Sequence, residues 1–266
     1  MLALLLLATA ACGTLTVREE KELGQQAQRE VRERFQLFRD RVVVSYVRHI
    51  GAKLIAGAGP SPFEFRFYVI EDESINAFAI PAGAIYVNTG LILQTQDASE
   101  LASVLAHEAG HVTARHVAQL YRRQRNTGVG ANLLSLAIAI LSGNPYIANA
   151  GQMATGVAAT AYTSSFTRDA EREADVLAVE TMINAGYDPN GMIAILETLQ
   201  REGGSGPTWD MLSSHPGTDD RIASVRADIA GRSLPGNLKR DDGGKLEIIQ
   251  ERIRLLMGTD EMDEDF

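Results

Sequence analysis

Apolar residues fall at helical spacing over most of this chain and at strand spacing over one short part. Leu23, Ala27, Val31, Phe35 and Phe38 recur at three- and four-residue steps through the charged stretch 16–41. That predicts an amphipathic helix with one stripe on the body and a solvated charged face. Val43, Tyr46, Val47, Ile50 and Leu54 predict a second helix over 42–56, on which His49 reads as a surface or core histidine. The Gly/Pro-rich stretch 57–62 breaks it. The period then shortens to two: Phe63, Phe65, Phe67 and Val69 alternate with Glu64, Arg66 and Tyr68, a half-buried strand over 63–70. Stretches 76–79 and 84–87 predict two more strands, joined by a turn at Pro81-Ala82-Gly83.

A short helix opens at Gly90, and a longer one follows over 101–116, with Asp97 or Ser99 as its cap and Glu100 in its first turn. Further helices are predicted at 167–181 (Ala170, Ala174, Leu177 and Ala178 inward), 189–200, 218–230 and 245–257. Residues 203–207 read as a flexible connector, 231–243 as a polar linker, and 260–266 as a disordered acidic tail. The stretch 128–163 stands apart, rich in Ala, Gly, Ser and Leu, almost free of charge and interrupted by Asn144-Pro145. Its longest apolar run is too short to span a bilayer. It reads as a hairpin or lid, or else as a buried helix pair or a surface that dips into a membrane. The elements together predict an α+β fold, mainly helical, with a small sheet beside the helices that carry the candidate metal ligands.

With 266 residues, 45% of them hydrophobic, the chain can bury a sizeable core. A net charge of −9 argues against a nucleic-acid partner. The single cysteine, Cys12, excludes an intrachain disulfide and follows a short apolar run. Residues 1–12 therefore read as a secretory leader. Thr9-Ala10-Ala11-Cys12 resembles a bacterial lipobox, although no basic residue precedes the run and Thr9 stands where leucine is usual. A lipid anchor at Cys12 implies a Gram-negative periplasmic lipoprotein, and Gly13 after the cysteine implies the outer membrane. A plain leader with an incidental cysteine is the alternative. The expected organisation is a leader (1–12), one main domain (13–235) and a C-terminal helix with its tail (236–266).

The chemistry concentrates at His107-Glu108-Ala109-Gly110-His111, an H-E-x-x-H pattern on a predicted helix. Positions four apart share a helix face, so His107 and His111 can present two imidazoles to one zinc ion. Glu108, one step round, can reach a water on that ion. An amphipathic helix with two ordinary histidines gives the same pentapeptide. On 167–181, Glu171 and Asp175 also share a face; Glu171 fits a third ligand and Asp175 a partner for the Nδ1–H of a ligand histidine. Ordinary ion pairs with Arg168 and Arg172 are the competing reading. His116 lies five residues beyond His111, about 140° round the helix, and is expected to point away from the metal. Arg115, Arg122, Arg123 and Arg125 form either a solvated helix end or a contact for acidic lipid headgroups. Strand 76–79 is a candidate edge for an extended peptide.

H-E-A-G-H followed by E-R-E-A-D at 171–175 resembles the gluzincin metallopeptidase family of the CAAX prenyl protease, HtpX, Oma and BepA type. Asn76-Ala77-Phe78-Ala79-x-Pro81 resembles its edge-strand signature, and Ser213-Ser214-His215-Pro216 with Arg221 its later S-H-P…R element. The resemblance covers roughly residues 18–230 and is nearest the compact lipoprotein members, without flanking membrane helices or a following helical-repeat domain. It implies a zincin-like domain with one zinc on His107, His111 and Glu171, and Glu108 and Asp175 as catalytic groups. His215 is implied either as an oxyanion donor or as a blocking fourth ligand, and Asn76, Ala77 and Phe78 as substrate-binding. The substrates would be misfolded or misassembled envelope proteins, and envelope assembly machinery a possible partner. A chaperone-like envelope module whose zinc site is latent, blocked by His215 or covered by 128–163, is the rival reading; a metal-free scaffold is the other.

Overall fold

The structure, a computed structural model, describes residues 15–116, 118–119, 166–202, 215 and 218–263. The leader with Cys12, the 128–163 insert, Arg122, Arg123 and Arg125, the 203–207 connector and the neighbours of His215 at 213, 214 and 216 lie outside the described residues.

Helix α1 (Val17–Arg34) opens on a capping box between Thr16 and Glu19 and buries Leu23, Ala27 and Val31. It stops at Arg34, earlier than its hydrophobic stripe suggests. Phe35 and Phe38 sit instead on an extended segment, where Leu37 bridges Ile70 and the Phe38 N–H donates to the Val69 carbonyl at 2.9 Å. Asp40 then starts α2 (Arg41–Gly57) by accepting from the Val42 and Val43 N–H groups. Val43, Val47, Ile50 and Leu54 face inward as expected, while Tyr46 is only half-buried because its hydroxyl donates to Asp242.

The sheet has three strands in the order β1-β3-β2. Strand β1 (Arg66–Ile70) is shorter than the alternation from Phe63 suggested and runs parallel to β3 (Ala84–Asn88); β2 (Ala77–Ala79) is antiparallel to β3. Ala82, at φ 66°, and Gly83 turn the chain between β2 and β3. The Asn88 N–H donates to the Asn76 carbonyl and the Ile80 N–H to Ala84, so Phe78 pairs with Tyr86. By the alternation of an antiparallel ladder, the main-chain groups of Ala77 and Ala79 then point away from β3, along an edge that pairs with no other strand among the described residues.

Helix α3 (Thr89–Gln94) leads into α4 (Ala98–Thr113), buried on all sides from Ala98 to Val112. Against it pack α5 (Arg168–Asn184) and α6 (Asn190–Glu202), and α7 (Thr218–Ala230) packs on both of these. On α5, Leu177 is half-buried and Val179 takes the inward position. Residues 231–243, expected as a linker, are tied down: Lys239 bridges Tyr187, and the Ser99 N–H donates to the Arg240 carbonyl. Helix α8 (Lys245–Asp263) runs past Met257 into the stretch expected to be disordered. Gly258 stands in open space there, and a glycine penalty of about 1 kcal/mol does not end the helix. Leu246, Ile249 and Ile253 of α8 join the same core as α2, the sheet and α4. Among the described residues, no helix is long and apolar enough to cross a membrane. The fold is α+β and mainly helical, with its small sheet beside the two helices of the site.

Candidate metal centre

Of the two expected caps, Asp97 starts α4, its carboxylate accepting from the Ser99 and Glu100 N–H groups. Thr167 starts α5 in the same way through the Ala170 N–H. The helices meet at Gly110, where a Cβ would come within 2.9 Å of the Ala174 carbonyl oxygen. The missing side chain lets α5 approach closely enough for Glu171 to reach the histidines of α4.

His107 Nε2 and His111 Nε2 lie 3.0 Å apart, and each is 3.4 Å from an oxygen of Glu171. A tetrahedral zinc with 2.0–2.1 Å arms separates its ligand atoms by about 3.3–3.4 Å, so two imidazoles and a carboxylate fit this ion in both chemistry and spacing. His215 joins them: its Nδ1 is 3.0 Å from Glu171 Oε1 and 3.3 Å from His107 Nε2, so four donor groups lie within 4.8 Å of one another. Glu108 is buried beside them, its Oε1 3.5 Å from His215 Nε2. Neither of those two atoms has a hydrogen-bond partner, as expected of groups aimed at a reacting molecule.

The electrostatics sort the carboxyls. Burial raises Glu108, with His215 and His107 pulling against the rise. Burial also acts on Glu171 and Asp175, but their neighbours win. His215 and Arg221 hold Glu171 well below the usual carboxylate range, and Arg221 with the His107 hydrogen bond brings Asp175 to about 2. Burial and the Arg221 charge push His107 down, yet its bonds to Asp175 and Glu171 bring it up to about 9; His111 is held well below its ordinary value by burial. Asp175 Oδ1 is 2.8 Å from His107 Nδ1, which aims the Nε2 edge of that ring at the centre. Arg221, on α7, grips Asp175 with two bonds of 2.8 and 2.7 Å and meets Glu171 at 2.9 Å.

The structure thus brings together Glu108, Asp175, His215, His107, His111 and Glu171. Asn76, Ala77 and Phe78 lie on and beside β2, all three buried, with the Phe78 ring stacked on Tyr86. The next residue, Ala79, turns its N–H toward Glu108 and draws that carboxyl partly back down.

His116 departs from its expected geometry. It is buried, with Nδ1 3.1 Å from His111 Nδ1. The 140° estimate assumed a continuous helix, but α4 ends at Thr113 and Arg115 adopts a left-handed φ of 59°, which swings His116 back. Arginine does not advertise that conformation, so no local signal marks the bend. Arg221 had stood out only as part of the S-H-P…R resemblance, because its role depends on α7 packing against α5.

Two packed helices that supply H-E-x-x-H and a third carboxylate, beside a small sheet whose terminal strand is β2, define an H-E-x-x-H metallopeptidase domain. Residues 44–229 match peptidase family M48, and the chain belongs to that family. It is 33% identical over 227 residues to a beta-barrel assembly-enhancing protease of Yersinia pestis, covering 82% of this chain and 45% of that protein. It is 36% identical to a putative beta-barrel assembly-enhancing protease of Vibrio cholerae, over 82% of this chain and 46% of that one. It is 30% identical to the mitochondrial metalloendopeptidase OMA1 of Schizosaccharomyces pombe, over 77% and 60% respectively. The chain spans less than half the length of the beta-barrel assembly-enhancing proteases it matches.

Proposed function

We propose that the chain is a zinc metalloendopeptidase that hydrolyses peptide bonds in cell-envelope proteins. The observation that carries this reading is the 3.0–3.4 Å spacing of His107, His111 and Glu171, with Glu108 buried one helical step away. Those three residues would hold one zinc per chain. Bound there, the ion supplies Lewis-acid chemistry, acidifying water and polarising the scissile carbonyl. Glu108 takes the proton of the attacking water and returns it to the leaving amine; its raised pKa suits both halves of that task. Asp175 fixes the tautomer of His107, and Arg221 keeps Asp175 and Glu171 ionised. The side of β2 that has no strand partner, at Asn76, Ala77 and Phe78, is where an extended substrate strand would pair.

The bacterial relatives are named for enhancing beta-barrel assembly, which supports a role in envelope-protein assembly; the substrates we propose are misfolded or misassembled envelope proteins, with assembly machinery as a partner. The leader supports a periplasmic, outer-membrane lipoprotein anchored through Cys12. Mass spectrometry of the mature N-terminus checks the anchor, and an unmodified Cys12 would sink it.

The test of the activity is zinc content and casein cleavage by the full chain beside Glu108→Gln. Stoichiometric zinc is expected in both, with cleavage reduced about 10²–10⁴-fold in the variant. Folded parent protein without zinc overturns the reading.

One observation favours a second reading, a latent site. His215 Nδ1 stands among the donors at ligand spacing, where it can fill the position that water or substrate needs. His215→Ala separates the two. If His215 blocks the site, the variant cleaves casein faster than the parent. If it serves the oxyanion, the variant retains zinc and loses on the order of 10²–10³ in kcat.

A further inference from the structure

His116 is buried against the centre but is not among its four donors. Its Nδ1 is 3.1 Å from His111 Nδ1, and its Nε2 is 3.2 Å from Glu173 Oε2. The proton order along this chain is determined by one requirement. For His111 to offer its Nε2 lone pair, its proton must sit on Nδ1. That N–H then donates to His116 Nδ1, which must be unprotonated. The proton of His116 is left on Nε2, where it donates to the Glu173 carboxylate. Each link has one donor and one acceptor, so the whole line is satisfied.

The two ligand histidines are therefore served differently. His107 meets a buried carboxylate, Asp175, directly. His111 meets a carboxylate only through an imidazole, and that carboxylate, Glu173, has 63% of its side chain exposed. Phe166 stacks on one face of His111, with centroids 3.9 Å apart, and sets the plane of the ring. Stacking does not choose the tautomer; a hydrogen bond at the ring edge does. Arg115 holds His116 in place from behind: its Nε donates to the buried Glu20 of α1 at 2.7 Å, and another of its nitrogens donates to the Leu15 carbonyl.

We propose that His116, backed by Glu173, is a positioning residue that locks His111 in the Nδ1–H tautomer and so sets how tightly the centre retains its metal. This rests on the reading of His107, His111 and Glu171 as zinc ligands. Losing such a partner typically weakens metal binding 10–100-fold.

The experiment measures the zinc Kd of the full chain by chelator competition, alongside the imidazole ¹⁵N shifts of His111 in the zinc-free protein, where the metal does not itself dictate the tautomer. His116→Phe keeps ring volume and removes the acceptor; His116→Asn keeps an acceptor and loses volume; Glu173→Ala changes only an exposed side chain. The Phe variant is expected to weaken zinc about 10–100-fold, the Asn variant to stay near the parent, and Glu173→Ala to weaken it about two- to fivefold. His111 should show a single Nδ1–H tautomer in the parent and lose it in the Phe variant. The reverse ranking, Asn weak and Phe like the parent, makes His116 a packing residue and overturns the proposal. An unchanged Kd in Glu173→Ala overturns the relay even where a core variant fails to fold. A folded parent that binds no zinc overturns the ligand assignment first, and this inference with it.

Discussion

Arg221 is 5% exposed and carries its charge between two buried carboxylates, Asp175 and Glu171. The desolvation of three charges is offset only while all three are present. Removing one member of a buried charge network leaves an uncompensated charge and costs about 3–5 kcal/mol. Arg221→Leu is therefore expected to lower stability by about that much, read from urea unfolding. Glu108→Gln gives the contrast: its carboxyl makes no ion pair with Arg221, and a neutral amide in its place should move the midpoint little. Arg221→Leu thus reports on stability and Glu108→Gln on chemistry.

At the scale of elements, the centre depends on how closely α4 and α5 approach, and Gly110 sets that distance. Gly110→Ala places a methyl within 2.9 Å of the Ala174 carbonyl oxygen, which is main chain and cannot swing aside. The expected result is a loss of about 1–3 kcal/mol from overpacking, together with weaker zinc binding because Glu171 moves off with α5. A packing variant elsewhere, such as Val225→Ala on α7, should show the first effect without the second. The helix patterns and the H-E-x-x-H and E-x-x-A-D spacings made both metal helices legible in the sequence, because period and register are local properties. Element ends were less legible. Phe35 and Phe38 continue the stripe of α1 in sequence, yet a pairing with β1 claims that segment. His116 was misplaced for a related reason, since one left-handed residue undoes the arithmetic of a helix.

Across the whole molecule, one apolar core runs from Val43 of α2 to Ile253 of α8. Gln250 of α8 donates to the Ile92 and Thr95 carbonyls at the end of α3, just ahead of the cap of α4. On the other side Arg252 grips Asp40, the cap of α2, with bonds of 2.8 and 2.6 Å. Those bonds, with the Val43 and Val42 amides, hold Asp40 down to about 2 against the pull of partial burial. A carboxyl with a depressed folded pKa contributes stability above its unfolded pKa of about 3.9, and that contribution fades as pH falls toward 2. The parent should exceed Arg252→Gln in stability by a constant amount above about pH 5, and the gap should narrow between about pH 4 and 2. Urea midpoints measured against pH check this; a gap that stays constant down to pH 2 contradicts the assignment.

The late joining of α7 and α8 also has a consequence in time. A ribosome releases His107 and His111 early, then Glu171 roughly 60 residues later and Arg221 roughly 110 later. At about 5–20 residues per second, on the order of ten seconds separates the first donors from the arginine that neutralises their carboxylates. For the first half of that interval the nascent chain carries the H-E-x-x-H helix without Glu171, and for all of it without Arg221. A centre assembled in this order is complete only after Arg221 has emerged.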